Sequence, residues 1–315
     1  MEGLKTTANG TAWFSDFKIE SSVADESNTW NFLFVLFNHM NVNIERNGKI
    51  ENVQLNLTNA DKEDMKECVN YFKTSMENLS KGKIKVRCEV VETEVPITQI
   101  SHDDKNGYYV SGYDVKDVLD PYIEEGKYDH LFIIFRTGNV NQKGAIPVND
   151  WVGLGSMEYR GLGFSNIRLP DSENDYVYKY NSRINTFPEE IYIHEFLHTL
   201  ENNAQQYGYE IPALHDYEKY EYSSQPLVGL KQWYKDYMNC EIKTSSGYIG
   251  LPLDIFTKKP AKSTDFIYTH ELIELKEPNN IIEELNIIGH KIKNLFSYVK
   301  GNKTAQLLKE NQNNI

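Results

Sequence analysis

Three blocks of the chain carry the apolar patterns of buried strands. Residues 29–44 and residues 129–136 are nearly continuous apolar runs, as expected for strands that are covered on both faces. Residues 83–95 alternate apolar and polar side chains, which predicts a half-buried strand. These patterns predict three strands of a central sheet.

Two helical patterns separate these strands. Apolar residues at helical spacing predict a helix over residues 60–80, capped by Thr58 or Asn59. A second helix is predicted over residues 114–125, where Pro121 interrupts or restarts it. The order strand, helix, strand, helix, strand predicts an α/β layer whose neighbouring strands are largely parallel.

Two further segments flank this layer. Residues 144–169 are glycine-rich and end in a predicted edge strand over residues 156–169. Residues 10–20 alternate like a strand and resemble the closing strand of the jelly-roll carbohydrate-binding modules that precede many secreted bacterial hydrolases. That resemblance implies export, so we expect residues 1–28 to form a strand and linker and the protein to be extracellular. An ordinary edge strand is the alternative for residues 10–20.

A third helix is predicted over residues 186–201. Thr186 and Glu189 have the spacing of a capping box, and Pro188 suits the first turn. Apolar residues recur at spacings of three and four, so one side of the helix is expected to be buried; they are Ile193, Phe196, Leu197 and Leu200.

The same helix carries the candidate chemistry in the pattern HExxH. His194 and His198 stand one turn apart and project from the same face, so both imidazoles can reach one zinc ion. Glu195 points beside that position, where a carboxylate can accept a proton from a water molecule that the ion polarises. A catalytic zinc site needs a third protein ligand and an open fourth position. Glu201, His215 and Glu218 are the candidates for that ligand.

Residues 191–238 resemble the zincin metallopeptidases, and among these the metzincins more than the thermolysin-type enzymes. Metzincins carry HExxHxxGxxH, frequently followed by Asp, and then a methionine turn. Here Glu201 stands at the glycine, the next histidine is delayed to His215, and Asp216 follows it. The resemblance implies an insertion before His215, which becomes the preferred third ligand, and a methionine turn at Met238. A packing role in the core is the alternative for Met238.

The thermolysin-type resemblance gives a different third ligand. The spacing from His198 to Glu218 suits those enzymes, but they place an aspartate four residues beyond that glutamate, where this chain has Tyr222. His215 is therefore preferred over Glu218 as the third ligand, and Glu201 is the least favoured of the three.

The resemblance also implies a fold and a domain organisation. We expect an α/β (α+β) chain with a zincin-like catalytic domain, built from a mixed twisted sheet, an active-site helix and a mainly helical C-terminal subdomain. The upper subdomain is expected over residues 29–204 and the lower one over residues 205–315. Helices are predicted over residues 227–236 and residues 281–300 of the lower part.

These features lead to the hypothesis of a zinc endopeptidase. Zn²⁺ is expected on His194, His198 and His215, with Glu195 as the general base. A phenol is expected to stabilise the oxyanion, with Tyr237 as first choice; the other candidates are Tyr220, Tyr222 and Tyr248. A protein or peptide substrate is expected to bind as an extended strand along the predicted edge strand.

The rival hypothesis is a non-catalytic binding module for carbohydrate or protein, in which the zinc site is vestigial. The strand at residues 10–20 and the 21 tyrosines motivate it. Glu195 argues against it, because a metal site without catalysis does not need a general base.

Composition narrows the partners and the type of metal site. A net charge of −13, from 46 acidic and 33 basic residues, disfavours nucleic acid as a partner. Three cysteines without CxxC spacing exclude a cysteine zinc knuckle. No apolar run approaches the roughly 20 residues of a membrane span. A monomer is expected.

Overall fold

The computed structural model describes residues 27–123, 127–139, 145–149, 151–169, 188–258 and 273–274. The predicted strand at residues 10–20 and the predicted helix at residues 281–300 lie outside these ranges. Twelve strands occur in the described residues: β1 Thr29–Phe37, β2 His39–Arg46, β3 Lys49–Asn56, β4 Lys85–Thr93, β5 Ser101–Asp103, β6 Gly107–Tyr109, β7 His130–Arg136, β8 Gly153–Tyr159, β9 Leu162–Leu169, β10 Ile242–Thr244, β11 Gly247–Ile249 and β12 Ile273–Glu274. The α-helices are α1 Asn59–Leu79, α2 Lys116–Leu119, α3 Glu190–Gln206 and α4 Lys231–Asn239.

A mixed sheet forms the centre of the molecule, with the strand order β12-β4-β1-β7-β9-β8. The four adjacent strands β4, β1, β7 and β9 are parallel to one another, as predicted for an α/β layer. The two outermost strands, β8 and β12, run antiparallel to the strands beside them. The α/β class and the mixed sheet are therefore confirmed.

Strand β1 is covered on both faces, which explains its continuous apolar run. Trp30, Phe32 and Phe34 belong to the core under helices α1, α3 and α4. Leu33 and Val35 belong to a second core, covered by the β2–β3 hairpin and the segment around α2. The sheet is therefore the middle layer of three.

The prediction of one strand over residues 29–44 is wrong, because the chain leaves the sheet at Asn38. The Asn38 backbone N–H donates to the Thr93 carbonyl at 3.1 Å, which ends the pairing of β1 with β4. Strand β2 then pairs with β3 across a turn at Asn47 and Gly48, both with positive φ. The prediction of a single edge strand over residues 156–169 is also wrong, because the structure has two strands there, β8 and β9, which form a hairpin.

Helix α1 begins as predicted. Thr58 is its N-cap and forms a capping box with Asp61. Asp61 also accepts two hydrogen bonds from the buried Arg136 guanidinium, at 2.8 and 2.6 Å. This bidentate pair ties the start of α1 to the end of β7.

The helix predicted over residues 114–125 is broken into short pieces. A 3-10 turn at Gly112–Val115 leads into α2, and a second 3-10 turn at Asp120–Tyr122 follows. Pro121 lies in that second turn, as expected for a residue whose ring disrupts a continuing α-helix.

Helix α3 packs against the sheet through aromatic side chains. The Phe196 ring lies edge-on to those of Trp30 and Phe32, with centroids 4.9 and 4.8 Å apart. The predicted capping box is wrong at Glu189, which is the N-cap residue and accepts a hydrogen bond from the Ser75 hydroxyl instead. Thr186 lies outside the described residues.

Beyond α3, residues 207–258 contain 3-10 turns at Asp216–Tyr220 and Leu253–Thr257, helix α4, and the small β10–β11 hairpin. Met238 lies inside α4 and is fully buried in the core, so the predicted methionine turn is wrong. Among the residues placed by the structure, no helix has both the length and the apolar character needed to cross a bilayer.

Candidate metal centre

Helix α3 presents His194 and His198 on the same face. Their Nε2 atoms are 3.2 Å apart, and the two rings are nearly perpendicular, with centroids separated by 4.8 Å. The helical repeat produces this approach, because residues four apart lie one above the other on a helix.

A third imidazole comes from the chain that follows α3. His215 Nε2 lies 3.1 Å from His198 Nε2, and the ring centroids of His215 and His194 are 4.9 Å apart. One ligand atom from each of the three lies within 4.8 Å of the others, and in the described part of the chain they form the one group of this kind. Glu218 and Glu201 do not belong to it.

Hydrogen bonds on the far side of two rings fix their orientation. Tyr234 donates its hydroxyl proton to Glu190, so its oxygen accepts from Nδ1–H of His194 at 2.9 Å. Glu201 accepts from Nδ1–H of His198, also at 2.9 Å. With Nδ1 protonated in both rings, the Nε2 lone pairs point at each other. Converging lone pairs repel unless a cation lies between them, and such partners are typical of histidines that bind metals.

The environment also favours the neutral form of two of the imidazoles, those of His194 and His215. Burial lowers the pKa of His194 from 6.5 to about 3, and the neighbouring His198 and His215 act in the same direction. The pKa of His215 is lowered by burial and by His198, against an opposite effect of nearby carboxylates. A metal ligand must have its nitrogen lone pair free, and these shifts provide that at neutral pH.

The three nitrogens suit zinc. Three histidines with an open fourth position are a known catalytic zinc set. With Zn–N distances of about 2.0–2.1 Å, tetrahedral geometry places nitrogen ligands about 3.3–3.4 Å apart. The Nε2 separations of 3.2 and 3.1 Å are close to that spacing. The ligand set therefore fits a zinc ion.

Glu195 is held by the edge strand of the sheet. Its side chain is buried, and its Oε2 accepts a hydrogen bond from the Gly155 backbone N–H. Burial raises the pKa of Glu195 to about 8, and Glu190 adds to this, while the Gly155 hydrogen bond opposes it. Because burial disfavours the charged form, this carboxyl group holds its proton more tightly than an exposed glutamate does.

Two glycines let strand β8 approach this carboxylate. A Cβ at Gly153 would lie 2.4 Å from Glu195 Cγ, and one at Gly155 would lie 2.6 Å from the Glu195 carbonyl oxygen. The β8–β9 register also shifts between Leu154 and Met157. Gly155 lies within this irregularity, and its N–H donates to Glu195.

The structure does not support Tyr237 as the oxyanion-stabilising residue. Its hydroxyl is buried and donates to the Pro212 carbonyl at 3.2 Å, so it faces the main chain rather than the imidazoles. Tyr234, on the same helix, contacts a histidine of the cluster. Sequence reasoning missed Tyr234, because nothing in the spacing of the tyrosines separates these two positions.

The other candidate tyrosines are engaged elsewhere or exposed. The Tyr220 ring stacks on Trp233, with centroids 5.9 Å apart. Tyr222 donates to Asp236 at 2.7 Å. Tyr248 is 67% exposed in strand β11.

Comparisons of the chain with protein-family models, with curated proteins and with solved structures find no match. The convergence of His194, His198 and His215 beside the buried Glu195 is therefore the feature that points to a function.

Proposed function

We propose that this protein is a zinc-dependent metallopeptidase of the zincin type that hydrolyses internal peptide bonds. The observation that carries the proposal is the convergence of three imidazoles, from His194, His198 and His215, near a buried carboxylate one residue along the same helix. A closed structural site would use a fourth protein ligand, and among the residues that the structure describes the group has three.

A zinc ion on these nitrogens would supply Lewis acidity, which polarises the scissile carbonyl and acidifies the attacking water. Glu195 accepts the proton of that water as it attacks the carbonyl carbon, and then delivers the proton to the leaving amine. The Gly155 N–H keeps the carboxylate in one orientation during both transfers. Tyr234 and Glu201 keep the rings of His194 and His198 aimed at the same point.

The substrate is proposed to bind as an extended strand along β8. This strand is the last in the sheet, so one of its edges carries no neighbouring strand among the described residues. An extended peptide can add to such an edge through main-chain hydrogen bonds. The same strand holds Glu195, so a peptide paired with β8 would pass close to the general base.

The test measures hydrolysis of an unstructured protein by the zinc-loaded wild type, with and without a chelator. The same hydrolysis is then measured for the variant Glu195→Gln. The glutamine retains an oxygen that can accept from Gly155 but cannot take a proton, so we expect at least about a 100-fold loss of kcat. Glu210→Gln, an exposed change on the chain after α3, is the matched control and should retain activity.

Three outcomes separate the hypotheses. Cleavage that survives both the chelator and Glu195→Gln would refute the proposal. Stoichiometric zinc binding without hydrolysis of any unstructured substrate would favour the non-catalytic binding module. Loss of hydrolysis both with the chelator and in Glu195→Gln, while Glu210→Gln retains its activity, would support the metallopeptidase.

A further inference from the structure

Glu201 makes two hydrogen bonds that connect separate parts of the candidate site. It lies on α3 and is 7% exposed. Its Oε2 accepts from the His198 ring at 2.9 Å, and its Oε1 accepts from the Leu214 backbone N–H at 2.8 Å. One carboxylate therefore contacts a proposed ligand on the helix and the residue that precedes His215 on the following segment.

The segment before His215 is also held from its other side. The Leu214 carbonyl accepts a hydrogen bond from the indole N–H of Trp233 at 2.8 Å, and Leu214 itself is fully buried. The backbone leading into His215 is thus fixed between α3, through Glu201, and α4, through Trp233. This matters because His215 is 17 residues from His198, and a ligand on a freely moving segment would have to be ordered at the moment of binding.

We propose that Glu201 is a positioning residue that places the third imidazole, His215, beside the two on helix α3. The inference rests on the proposed metal site. It assigns Glu201 two tasks, the orientation of the His198 ring and the placement of His215 through the Leu214 peptide. Metal binding then carries little of the cost of ordering the segment, because the segment is already in place before the ion arrives.

The change Glu201→Gln separates these tasks from simple packing. Both groups that face the carboxylate are donors, the His198 Nδ1–H and the Leu214 N–H. A glutamine offers them one oxygen and one NH₂ group, so one donor must lose its acceptor or His198 must change tautomer. A tautomer change would place the proton on Nε2, the atom proposed to bind the metal.

The first experiment is a zinc titration against a competing chelator. We expect Glu201→Gln to bind zinc about 10- to 100-fold more weakly than the wild type, as when other hydrogen-bond partners of metal-bound histidines are lost. Glu210→Gln serves as the matched control and should bind like the wild type. Thermal denaturation of the metal-free proteins checks that the variants are folded. Wild-type affinity in Glu201→Gln would overturn the inference.

A double-mutant cycle with His215→Ala tests the specific claim about placement. If Glu201 places His215, the affinity lost through Glu201→Gln should be at least about threefold smaller when His215 is already absent. Equal losses in the two backgrounds would mean that Glu201 does not act through His215, and would overturn the inference. A residue with only a packing role would not produce this coupling.

Hydrogen exchange of the metal-free wild type provides a test that requires no variant. The Leu214 amide should exchange much more slowly than the amides of the exposed residues around it, because it is buried and donates to Glu201. Exchange at the rate of the exposed amides would overturn the inference. If the wild type binds no zinc, the proposed function fails; if it binds zinc and Glu201→Gln is silent, only this inference fails.

Discussion

The substitution Gly155→Ala tests whether the edge strand positions the general base. A Cβ at this position would lie 2.6 Å from the Glu195 carbonyl oxygen and 2.8 Å from its Oε2, whereas ordinary contact begins at 3.4 Å. Strand β8 and helix α3 would therefore have to separate by roughly 0.8 Å. The backbone oxygen cannot rotate away, so the strand itself must shift.

The cost of that shift can be bounded in two ways. Overpacking of this kind typically destabilises a protein by about 1–3 kcal/mol. The shift also lengthens the hydrogen bond from the Gly155 N–H to Glu195, and a displacement near 1 Å in a catalytic group can cost about 100-fold in rate. We therefore expect a modest loss of stability and a loss of about two orders of magnitude in kcat/KM.

The assay compares peptide hydrolysis by zinc-loaded wild type, Gly155→Ala and Gly208→Ala, corrected for the folded fraction. Gly208 has a φ of +79°, and no atom lies within 4 Å of the place that a Cβ would occupy there. Alanine at this position therefore costs about 1–2 kcal/mol through backbone strain alone. The change matches the loss of stability without touching Glu195. Full activity per folded molecule in Gly155→Ala would refute the role of the edge strand.

Three further predictions address the rest of the molecule. Tyr234→Phe removes the oxygen that accepts from His194, and chelator competition should show about 10- to 100-fold weaker zinc binding; unchanged affinity would contradict the role of this hydroxyl. Arg136→Met leaves the Asp61 carboxylate buried and unpaired, so urea denaturation should show a loss of about 3–5 kcal/mol, and a loss below about 1 kcal/mol would contradict it. Burial lowers the pKa of His130 from 6.5 to about 3, so the unfolded chain binds the proton first as the pH falls. Between about pH 6 and 4, wild-type stability should fall more steeply than that of His130→Gln, by up to about 1.4 kcal/mol per pH unit, and parallel curves would contradict this.

Strand positions were predictable where burial alone decides the pattern, and less so where the chain turns. The apolar runs located β1, β4 and β7 because both faces of these strands are covered. The β8–β9 turn was not predicted. Arg160 adopts a φ of 51° in this turn, a conformation in which asparagine or glycine is the usual residue. The turn at Asn47 and Gly48 does carry that signal, but it lies beyond the single strand predicted over residues 29–44, which the structure divides at Asn38.

The helix-borne half of the candidate site follows from sequence because its geometry is local. The approach of His194 to His198, and the place of Glu195 beside them, depend only on the repeat of an α-helix. The remainder depends on contacts between segments that are distant in the chain. Packing of α4 and of the segment ending at His215 against α3 decides which residue completes the cluster, and spacing alone left Glu218 open.

Tertiary structure also decides the roles of groups that carry no motif. Glu201 was a candidate ligand by sequence, but the fold turns its carboxylate toward the Nδ1 side of His198 and the Leu214 amide. Tyr234 rather than Tyr237 reaches the cluster, because helix α4 directs the hydroxyl of Tyr237 to the Pro212 carbonyl. A repeating local geometry can be read along one segment, whereas the direction of a side chain across an interface is set only when the two segments pack.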